Sequence, residues 1–491
     1  MSQQPQLPPI PKGGKIKHAL SLGLDIWNNL DRFQDEYGDS FTLMLPGQGP
    51  MVWTGDPAVV KDIFSLKPEQ YDPFAVQIPI DVGEECVLFQ NFKKHQDSRK
   101  RIIPSLATAQ LKSRAGVMHE IISEHIDSWQ VGQEFDFPRV VGDITLDIIC
   151  YTLFGLRHGA RKERYKVLMN GWLTTSTNDT MFTIGQLMGA RKFRAKLNAQ
   201  YIKRCEQDKL GNLKKGILPW KQSLDYKVQL AKMIREDVHD IRARMDENEA
   251  TLLSVFARAK YEDGEFLEME KIISETIAML VAGHETSAAT SSWMLIWLLK
   301  NPQVMQKVRD EVAESVEKQG EYDPLTISEL PFITACLNES QRLSPSAPAT
   351  VRWLTEDTQL GKWLMPAGTC VAPCMYLTQR RKDVFGEDAH EYRPERWLDG
   401  TCKPKPWEFF PFGGGRRACA GMAQARQQLR IILAEIVRRV TFESNEDYIH
   451  NDQLPTPRLV GGQTEPKDGV LVTVKEVKPM AEGLPQLLQS A

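Results

Sequence analysis

The sequence predicts a mainly helical fold with a small β-rich part, and three observations support this prediction. Apolar residues recur at helical spacing along most of the 491-residue chain. Runs typical of β-strands are short and lie near the beginning of the chain and again after position 350. No segment rich in proline, glycine or serine divides the chain into separate units. We therefore expect one domain over residues 1–491, with β-rich parts at roughly 38–56 and 350–376 and helices elsewhere.

Composition and charge exclude several classes of protein. The formal net charge is −3, so the molecule as a whole is not built to bind nucleic acid. No uncharged apolar run reaches the roughly 18 residues of a membrane span, and no signal-peptide core follows the proline-rich N-terminus. The eight cysteines contain no Cys-x-x-Cys pair, as is usual in a reducing compartment. We therefore expect a cytoplasmic protein without a transmembrane anchor, although a chain that had lost such an anchor would read the same way.

The first hundred residues alternate between helix and strand signals. An amphipathic helix is predicted over 16–36, and two β-prone runs then flank the turn sequence Pro-Gly-Gln-Gly at 46–49, as in a hairpin. Pro57 is expected in the first turn of another helix, where proline is tolerated. A basic helix follows, in which His95 and Arg99 are four residues apart and share one face. Taken alone, this segment is typical of a solvated charged helix.

The middle of the chain is dominated by one long helical pattern over 270–299. The segment 143–155 before it is typical of a buried core helix. The apolar face of the long pattern is interrupted at 282–287, where the sequence is Ala-Gly-His-Glu-Thr-Ser. Glycine inside a helix costs about 1 kcal/mol relative to alanine, and a buried carboxylate is costly unless it is paired or protonated. Such a turn is either a polar stretch that faces solvent or a functional site.

The loop at 409–421 carries the most distinctive pattern of the chain. Three glycines and two arginines precede Cys419, and an apolar helical pattern follows it directly. Glycines allow a tight turn and the close approach of a flat ligand, and a helix N-terminus favours thiolate over thiol. A buried structural cysteine in a glycine-rich turn is the alternative interpretation.

This loop matches, position by position, the pattern Phe-x-x-Gly-x-Arg-x-Cys-x-Gly of the haem-thiolate monooxygenases, the cytochromes P-450. The matching residues are Phe412, Gly415, Arg417, Cys419 and Gly421. Three further segments resemble motifs of that family and occur in its order, namely 95–104, 282–287, and 339–342 together with 394–396. The resemblance covers nearly the whole chain and points to the soluble, bacterial type. It implies the cytochrome P-450 fold, which is mainly α with a small β subdomain.

The resemblance also implies a cofactor and the residues that bind it. The cofactor would be haem b, iron-protoporphyrin IX, with Cys419 as the axial ligand of the iron. The residues implied in cofactor binding are His95, Arg99, Arg352, Phe412, Gly415, Arg417, Cys419 and Gly421, of which the four basic ones would contact the propionates. Glu339, Arg342 and Arg396 would form a buried charge cluster that holds the scaffold of the haem loop, which is a structural role.

The turn at 282–287 fits the oxygen-activation motif of the same family. Reduction of dioxygen requires protons in a site that is otherwise dry, and an alcohol next to an acid can deliver them. The resemblance implies that Thr286 supplies the hydroxyl and Glu285 the acid, while His284 occupies a variable position. The implied reaction inserts one oxygen atom from dioxygen into a hydrophobic substrate, such as a fatty acid, a terpenoid or a steroid, and the second oxygen leaves as water.

Electrons would come ultimately from NAD(P)H through a separate partner. No fused reductase domain is expected, because the chain ends soon after the helix that follows the loop at 409–421. The expected partner is a ferredoxin with its reductase, or a flavodoxin-type donor, and the protein itself is expected to be a monomer. A basic face would steer an acidic donor, although these charges also serve solubility. The residues predicted for it are Lys93, Lys94, Lys100, Arg416, Arg426, Arg430, Arg438 and Arg439.

Two alternatives to a monooxygenase remain at this point. One keeps the fold and uses it for a haem-thiolate peroxygenase, isomerase or dehydratase. The other is a haem-binding sensor or carrier without turnover. Glu285 and Thr286 argue against the first alternative, because such enzymes need no proton relay to split dioxygen.

Overall fold

The computed structural model describes residues 6–73, 80–177, 179–244, 251–460 and 462–480. Most of these residues are helical, which confirms the predicted fold class. The helices are α1 (Gly14–Leu24), α2 (Ile26–Tyr37), α3 (Pro57–Ser65), α4 (Phe92–Ser105), α5 (Thr108–Asp127), α6 (Phe137–Phe154), α7 (Ala160–Ser176), α8 (Asp179–Met188), α9 (Ala190–Lys209), α10 (Pro219–Arg244), α11 (Leu252–Arg258), α12 (Met269–Lys300), α13 (Pro302–Gln319), α14 (Pro324–Ile327), α15 (Pro331–Leu343), α16 (Met375–Thr378), α17 (Lys382–Phe385), α18 (Met422–Arg439) and α19 (Asp447–His450). No helix in the described ranges is both long and apolar enough to span a bilayer.

The strands are short and form small sheets. They are β1 (Ser40–Leu45), β2 (Gly49–Thr54), β3 (Tyr71–Pro73), β4 (Glu134–Asp136), β5 (Arg352–Leu354), β6 (Thr358–Leu360), β7 (Trp363–Met365), β8 (Cys370–Pro373), β9 (Val440–Glu443), β10 (Pro457–Val460), β11 (Gln463–Pro466) and β12 (Leu471–Val477). The largest sheet has the order β1-β2-β8-β5-β3, and the others are β4-β12-β9, β10-β11 and β6-β7. The predicted hairpin around 46–49 is confirmed, since β1 and β2 pair antiparallel. Because β2 also pairs parallel with β8, the largest sheet joins the beginning of the chain to the strands after position 350.

The single helix predicted over 16–36 is in fact two helices, α1 and α2. Asp25 separates them, with an extended φ of −157°, and its side chain accepts a hydrogen bond from the Asn28 N–H at 3.3 Å. An aspartate at this position satisfies one of the N–H groups that the first turn of a helix leaves without a helical partner. The apolar periodicity continues across the break, and for this reason the sequence pattern does not reveal it.

Helix α12 is buried along most of its length and packs closely against α6. The long helix predicted over 270–299 is confirmed, and it continues without interruption through the polar turn at 282–287. Gly283 permits the close packing, because a Cβ at this position would lie 2.6 Å from Cδ1 of Ile149 on α6. The glycine of the polar turn is therefore required by helix packing.

Candidate active site

Cys419 lies at the end of a loop that leads into α18. Its N–H donates to the carbonyl of Phe412 at 2.8 Å, and Gly421 caps the helix. The thiol is accessible, yet it lies deep among protein atoms, and this dehydration raises its pKa above the ordinary value. The Gly421 N–H and Arg99 act in the opposite direction. For this pKa, burial outweighs the effect expected from the helix N-terminus.

The glycines before Cys419 are required by packing against α3. A Cβ at Gly414 would overlap the ring of Phe64, and a Cβ at Gly415 would overlap the Phe64 carbonyl oxygen. Gly415 also has a φ of +64°, in the left-handed region that favours glycine. At these two positions the glycines allow the close approach of α3, whereas the sequence predicted the close approach of a flat ligand. The cofactor-binding role of Gly415 stays a prediction.

Four basic side chains gather beside this loop, namely His95, Arg99, Arg352 and Arg417. His95 is buried, and burial together with the charges of the three arginines lowers its pKa to about 3. The imidazole is therefore neutral near pH 7 and can donate a hydrogen bond without adding a further charge. Positive charge concentrated in one place favours an anionic ligand.

The arginines of this basic cluster are held by neutral groups. Arg99 donates to the carbonyl of Ala418 at 2.7 Å. Arg352 donates to a threonine hydroxyl and to two backbone carbonyls, and Arg417 donates to two backbone carbonyls and to Oδ1 of Asn91. None of these contacts neutralises the positive charges. Nε of Arg417 is buried and has no hydrogen-bond partner among the described residues, so the cluster retains a donor that a carboxylate could use.

A cavity of about 680 Å³ lies beside the basic cluster. Its lining includes Tyr71, His95, Arg99 and Arg416. Tyr71 is buried on β3, and its ring centroid is 5.3 Å from the guanidinium carbon of Arg352. No motif in the sequence marks this tyrosine as a site residue, because it is an isolated aromatic residue.

The polar turn of α12 is accessible on one side. Ala282 is exposed although most of the helix is buried, and Thr286, one turn later, is partly exposed. The Thr286 hydroxyl donates to the Ala282 carbonyl at 2.7 Å, and a hydroxyl can rotate from such a bond to donate elsewhere. His284 is buried instead, with its Nδ1 3.0 Å from the Thr145 hydroxyl on α6. His284 therefore connects two helices, whereas the Thr286 side chain is partly exposed and accessible to a ligand.

Glu285 lies against the hairpin formed by β10 and β11. Nε2 of Gln463 donates to Oε2 of Glu285 at 3.5 Å. Burial and the negative charge of Glu465 raise the pKa of the Glu285 carboxyl to about 7. This group can therefore release and accept protons near neutral pH. Gln463 and Glu465 could not be predicted from the sequence, because they follow Glu285 by about 180 positions and belong to no recognised motif.

Glu339, Arg342 and Arg396 are in contact and each is 0% exposed. Glu339 accepts from two Arg342 nitrogens at 2.8 and 2.9 Å and from Nε of Arg396 at 2.8 Å. It also accepts from Nε1 of Trp397 at 2.9 Å and from the N–H of Arg393 at 3.0 Å. Five donors thus satisfy one buried carboxylate, which is the condition under which buried charges are tolerated.

This charge cluster is connected to the cysteine loop through two neighbours. The ring of Trp397 packs against that of Phe409, with the centroids 4.6 Å apart. Oε1 of Gln379 accepts from the N–H of Phe410 at 2.9 Å, while its Nε2 donates to the Gln341 carbonyl on α15 at 3.0 Å. These contacts link the charge cluster to the cysteine loop, and the predicted role of the cluster in holding the loop stays a prediction.

Cys419 and α12 border the same apolar core. Ala420, the residue after the cysteine, packs against a cluster that includes Ile277 and Ala278 of α12. Together with the bond from Arg99 to the loop, this places the cysteine and the basic cluster at the same apolar core as α12. No group of three or more His, Cys, Asp or Glu side chains in the described ranges could hold a metal ion. A metal at Cys419 would therefore take most of its ligands from a cofactor.

The predicted basic face is smaller than expected. Arg438 and Arg439 are buried in ion pairs with Glu435 and Asp127, so their assignment to an exposed face is wrong. The sequence shows that a residue is charged, but it does not show whether the charge lies in a buried ion pair or on the protein surface. This explains the error. The exposed members of the predicted basic face are Lys93, Lys94, Lys100 and Arg416. Arg426 and Arg430 are half-buried.

Comparison with known proteins identifies the family. The family model for cytochrome P450 matches residues 5–470. Putative cytochrome P450 135B1 of Mycobacterium tuberculosis is 27% identical over 88% of this chain and 85% of its own length. Echinocystic acid 23-monooxygenase of Saponaria officinalis is 26% identical over 86% of this chain and 80% of its own length. The chain is therefore a member of the cytochrome P450 family, a haem-dependent monooxygenase that receives electrons derived from NAD(P)H through a redox partner.

Proposed function

We propose that Cys419 is the axial ligand of haem b and that His95, Arg99, Arg352 and Arg417 bind its propionates. The observation that carries this proposal is the position of the exposed residue Cys419 beside a neutral histidine and three arginines whose hydrogen bonds go to neutral groups. Haem b has two carboxylates, and the buried Nε of Arg417 is a donor of the kind that a carboxylate accepts. The residues present therefore fit this cofactor.

In this proposal the polypeptide positions the cofactor and controls the supply of protons. Haem, when bound, supplies the redox chemistry that activates dioxygen. Phe412, Gly415 and Gly421 complete the wall around it. The Thr286 hydroxyl would donate a hydrogen bond toward dioxygen, and Glu285 would supply protons to this turn of α12 from the side of the β10–β11 hairpin.

Replacing Thr286 by alanine tests the role of the hydroxyl. We expect the product formed per electron consumed to fall roughly tenfold, with peroxide released in its place, because the proton donor at the oxygen is lost. Thr276→Ala is a matched control, since Thr276 lies on the same helix and donates to the carbonyl four residues earlier at 2.8 Å, but is fully buried. Product, peroxide and NAD(P)H consumption are measured together. Unchanged coupling in the Thr286 variant would contradict the proposed relay.

We further propose that the electron donor is an acidic ferredoxin or flavodoxin-type protein. The supporting observation is the exposed positive charge near the site, where Lys100 and Arg416 line the cavity and Lys94 lies on the same helix as Lys100. Opposite charges steer two proteins together before they dock. Added salt weakens this attraction, because it screens charges that are more than about 10 Å apart.

Raising the ionic strength is therefore expected to slow reduction by such a donor roughly tenfold. Lys94→Gln should slow it as well and weaken the salt dependence. Lys382→Gln removes an exposed lysine from α17, a helix that does not line the cavity, and serves as the control. Stopped-flow measurement of the reduction rate over a range of salt gives the result. A rate independent of salt would exclude the basic docking surface.

The substrate that we propose is hydrophobic, in the class of fatty acids, terpenoids or steroids. The apolar cluster that includes α12 also takes in side chains of α10 and of the segment 80–87, so apolar surface surrounds the region next to the polar turn. Screening these compound classes for changes in the haem absorption spectrum would identify ligands. Organisation as a single domain over residues 1–491 and the monomeric state stay predictions.

A further inference from the structure

The β10–β11 hairpin is fixed against α12 by the residue at the centre of β11. The Thr464 carbonyl accepts from Nε1 of Trp293 on α12 at 3.0 Å. The Thr464 hydroxyl donates to the Pro345 carbonyl at 2.6 Å, and its N–H donates to the Ser346 carbonyl at 2.7 Å. Thr464 is 0% exposed. This strand therefore has a defined position beside the helix that carries Glu285 and Thr286.

The two neighbours of Thr464 lie on the opposite face of the strand, because side chains alternate along β-structure. Gln463 donates to Glu285, as described above. Glu465 is directly opposite Arg458 in the hairpin register and accepts from it at 2.6 Å. One face of β11 thus presents an amide that contacts Glu285 and a carboxylate with its own cationic partner.

We propose that Glu465 and Arg458 are positioning residues that set the protonation state of Glu285 from the β10–β11 hairpin. The negative charge of Glu465 disfavours ionisation of Glu285, and Arg458 offsets part of that charge. Gln463 keeps the Glu285 carboxyl turned toward the hairpin. The inference rests on the proposed role of Glu285 as a proton donor and adds the residues that control it.

The charged neighbours of Glu285 support this assignment. After burial, the repulsion by Glu465 is the second cause that raises the pKa of Glu285 to about 7. On α12 itself, His284 is turned toward Thr145 of α6. On the hairpin, Arg458 is engaged by Glu465. Glu285 therefore holds its proton below about pH 7 and loses it as the pH rises, so that proton supply declines on the alkaline side.

Two substitutions with opposite expected effects test the proposal. In Glu465→Gln the midpoint of Glu285 ionisation should fall by about 0.5 pH unit or more, because the repelling charge is removed. In Arg458→Gln the midpoint should rise, because the charge of Glu465 is no longer offset. Glu443→Gln removes a carboxylate that pairs with Lys475 in the β9–β12 ladder, and it should leave the midpoint unchanged.

The midpoint can be measured without turnover. Infrared difference spectra of the ferric holoprotein are recorded over a range of pH, and the carboxyl band that disappears in Glu285→Gln is assigned to Glu285. Midpoints that move in opposite directions in the two hairpin variants support the proposal. A midpoint that stays constant in both, or moves the same way in both, overturns it.

A second readout separates this inference from the proposed function. The alkaline limit of coupled product formation should move to lower pH in Glu465→Gln and to higher pH in Arg458→Gln. If the infrared midpoints move as expected but Glu285→Gln leaves coupling intact, the relay role of Glu285 is wrong while the control by the hairpin stands. If coupling depends on Glu285 but the midpoints do not move, the relay stands and the hairpin inference is wrong.

Discussion

Cys419→Ser is expected to abolish the thiolate-type absorption of the reduced carbon-monoxide complex. Serine has nearly the shape of cysteine, but its hydroxyl is a poor ligand in place of a sulfur that can be deprotonated at the metal. The backbone bond from residue 419 to Phe412 does not involve the side chain, so the loop should keep its conformation. Absorption spectra of the purified variant, reduced under carbon monoxide, measure the effect.

The control for this experiment is another cysteine that is not fully buried. Cys205→Ser removes a half-buried thiol on α9 and should leave the thiolate-type spectrum unchanged. The remaining six cysteines are buried and less suited to comparison. A thiolate-type spectrum that persists in Cys419→Ser would mean that a different residue binds the iron, and the proposed site would have to be moved.

Glu339→Gln is expected to reduce the free energy of unfolding by about 3–5 kcal/mol. The substitution leaves Arg342 and Arg396 buried with positive charges and without their carboxylate, while the side-chain volume hardly changes. An amide oxygen can still accept hydrogen bonds, but it carries no compensating charge, and its NH₂ group would face other donors. Urea unfolding followed by tryptophan fluorescence measures the loss of stability.

The matched control removes a carboxylate from an exposed ion pair. Glu387→Gln breaks the pair with Lys382 at the surface and should leave the unfolding curve in place, since exposed pairs contribute little. Haem content should fall in Glu339→Gln, because Trp397 and Gln379 position the cysteine loop from the charge cluster. A variant of Glu339 as stable as the unmodified protein would show that the cluster is not needed to hold the fold.

Motifs that are continuous in sequence allowed the family and much of the candidate site to be predicted. The fixed spacing around Cys419 and the order Glu285-Thr286 can be read directly from the chain, because neighbours in sequence are neighbours on one turn. The long helix around them was also predictable, since its apolar pattern continues over many turns.

Features that depend on distant parts of the chain could not be predicted in this way. The glycines before Cys419 allow close contact with Phe64, which is some 350 positions earlier. Asp25 ends one helix and begins another while the apolar pattern continues. The partners of Glu285 come from β11, and nothing in the sequence around Gln463 or Glu465 marks them as neighbours of Glu285. Such contacts depend on how the elements pack.

The five hydrogen bonds to Glu339 have a consequence for the order in which the chain can fold. Arg342 is three residues away, but Arg396 is 57 residues away and must be brought back by closing a long loop. Until it arrives, burying Glu339 leaves part of a charged group without partners, which is unfavourable. Partial assembly of this region is therefore less stable than either none or all of it. Because Phe409 of the cysteine loop packs against Trp397, we expect this loop to become ordered only after the charge cluster has assembled.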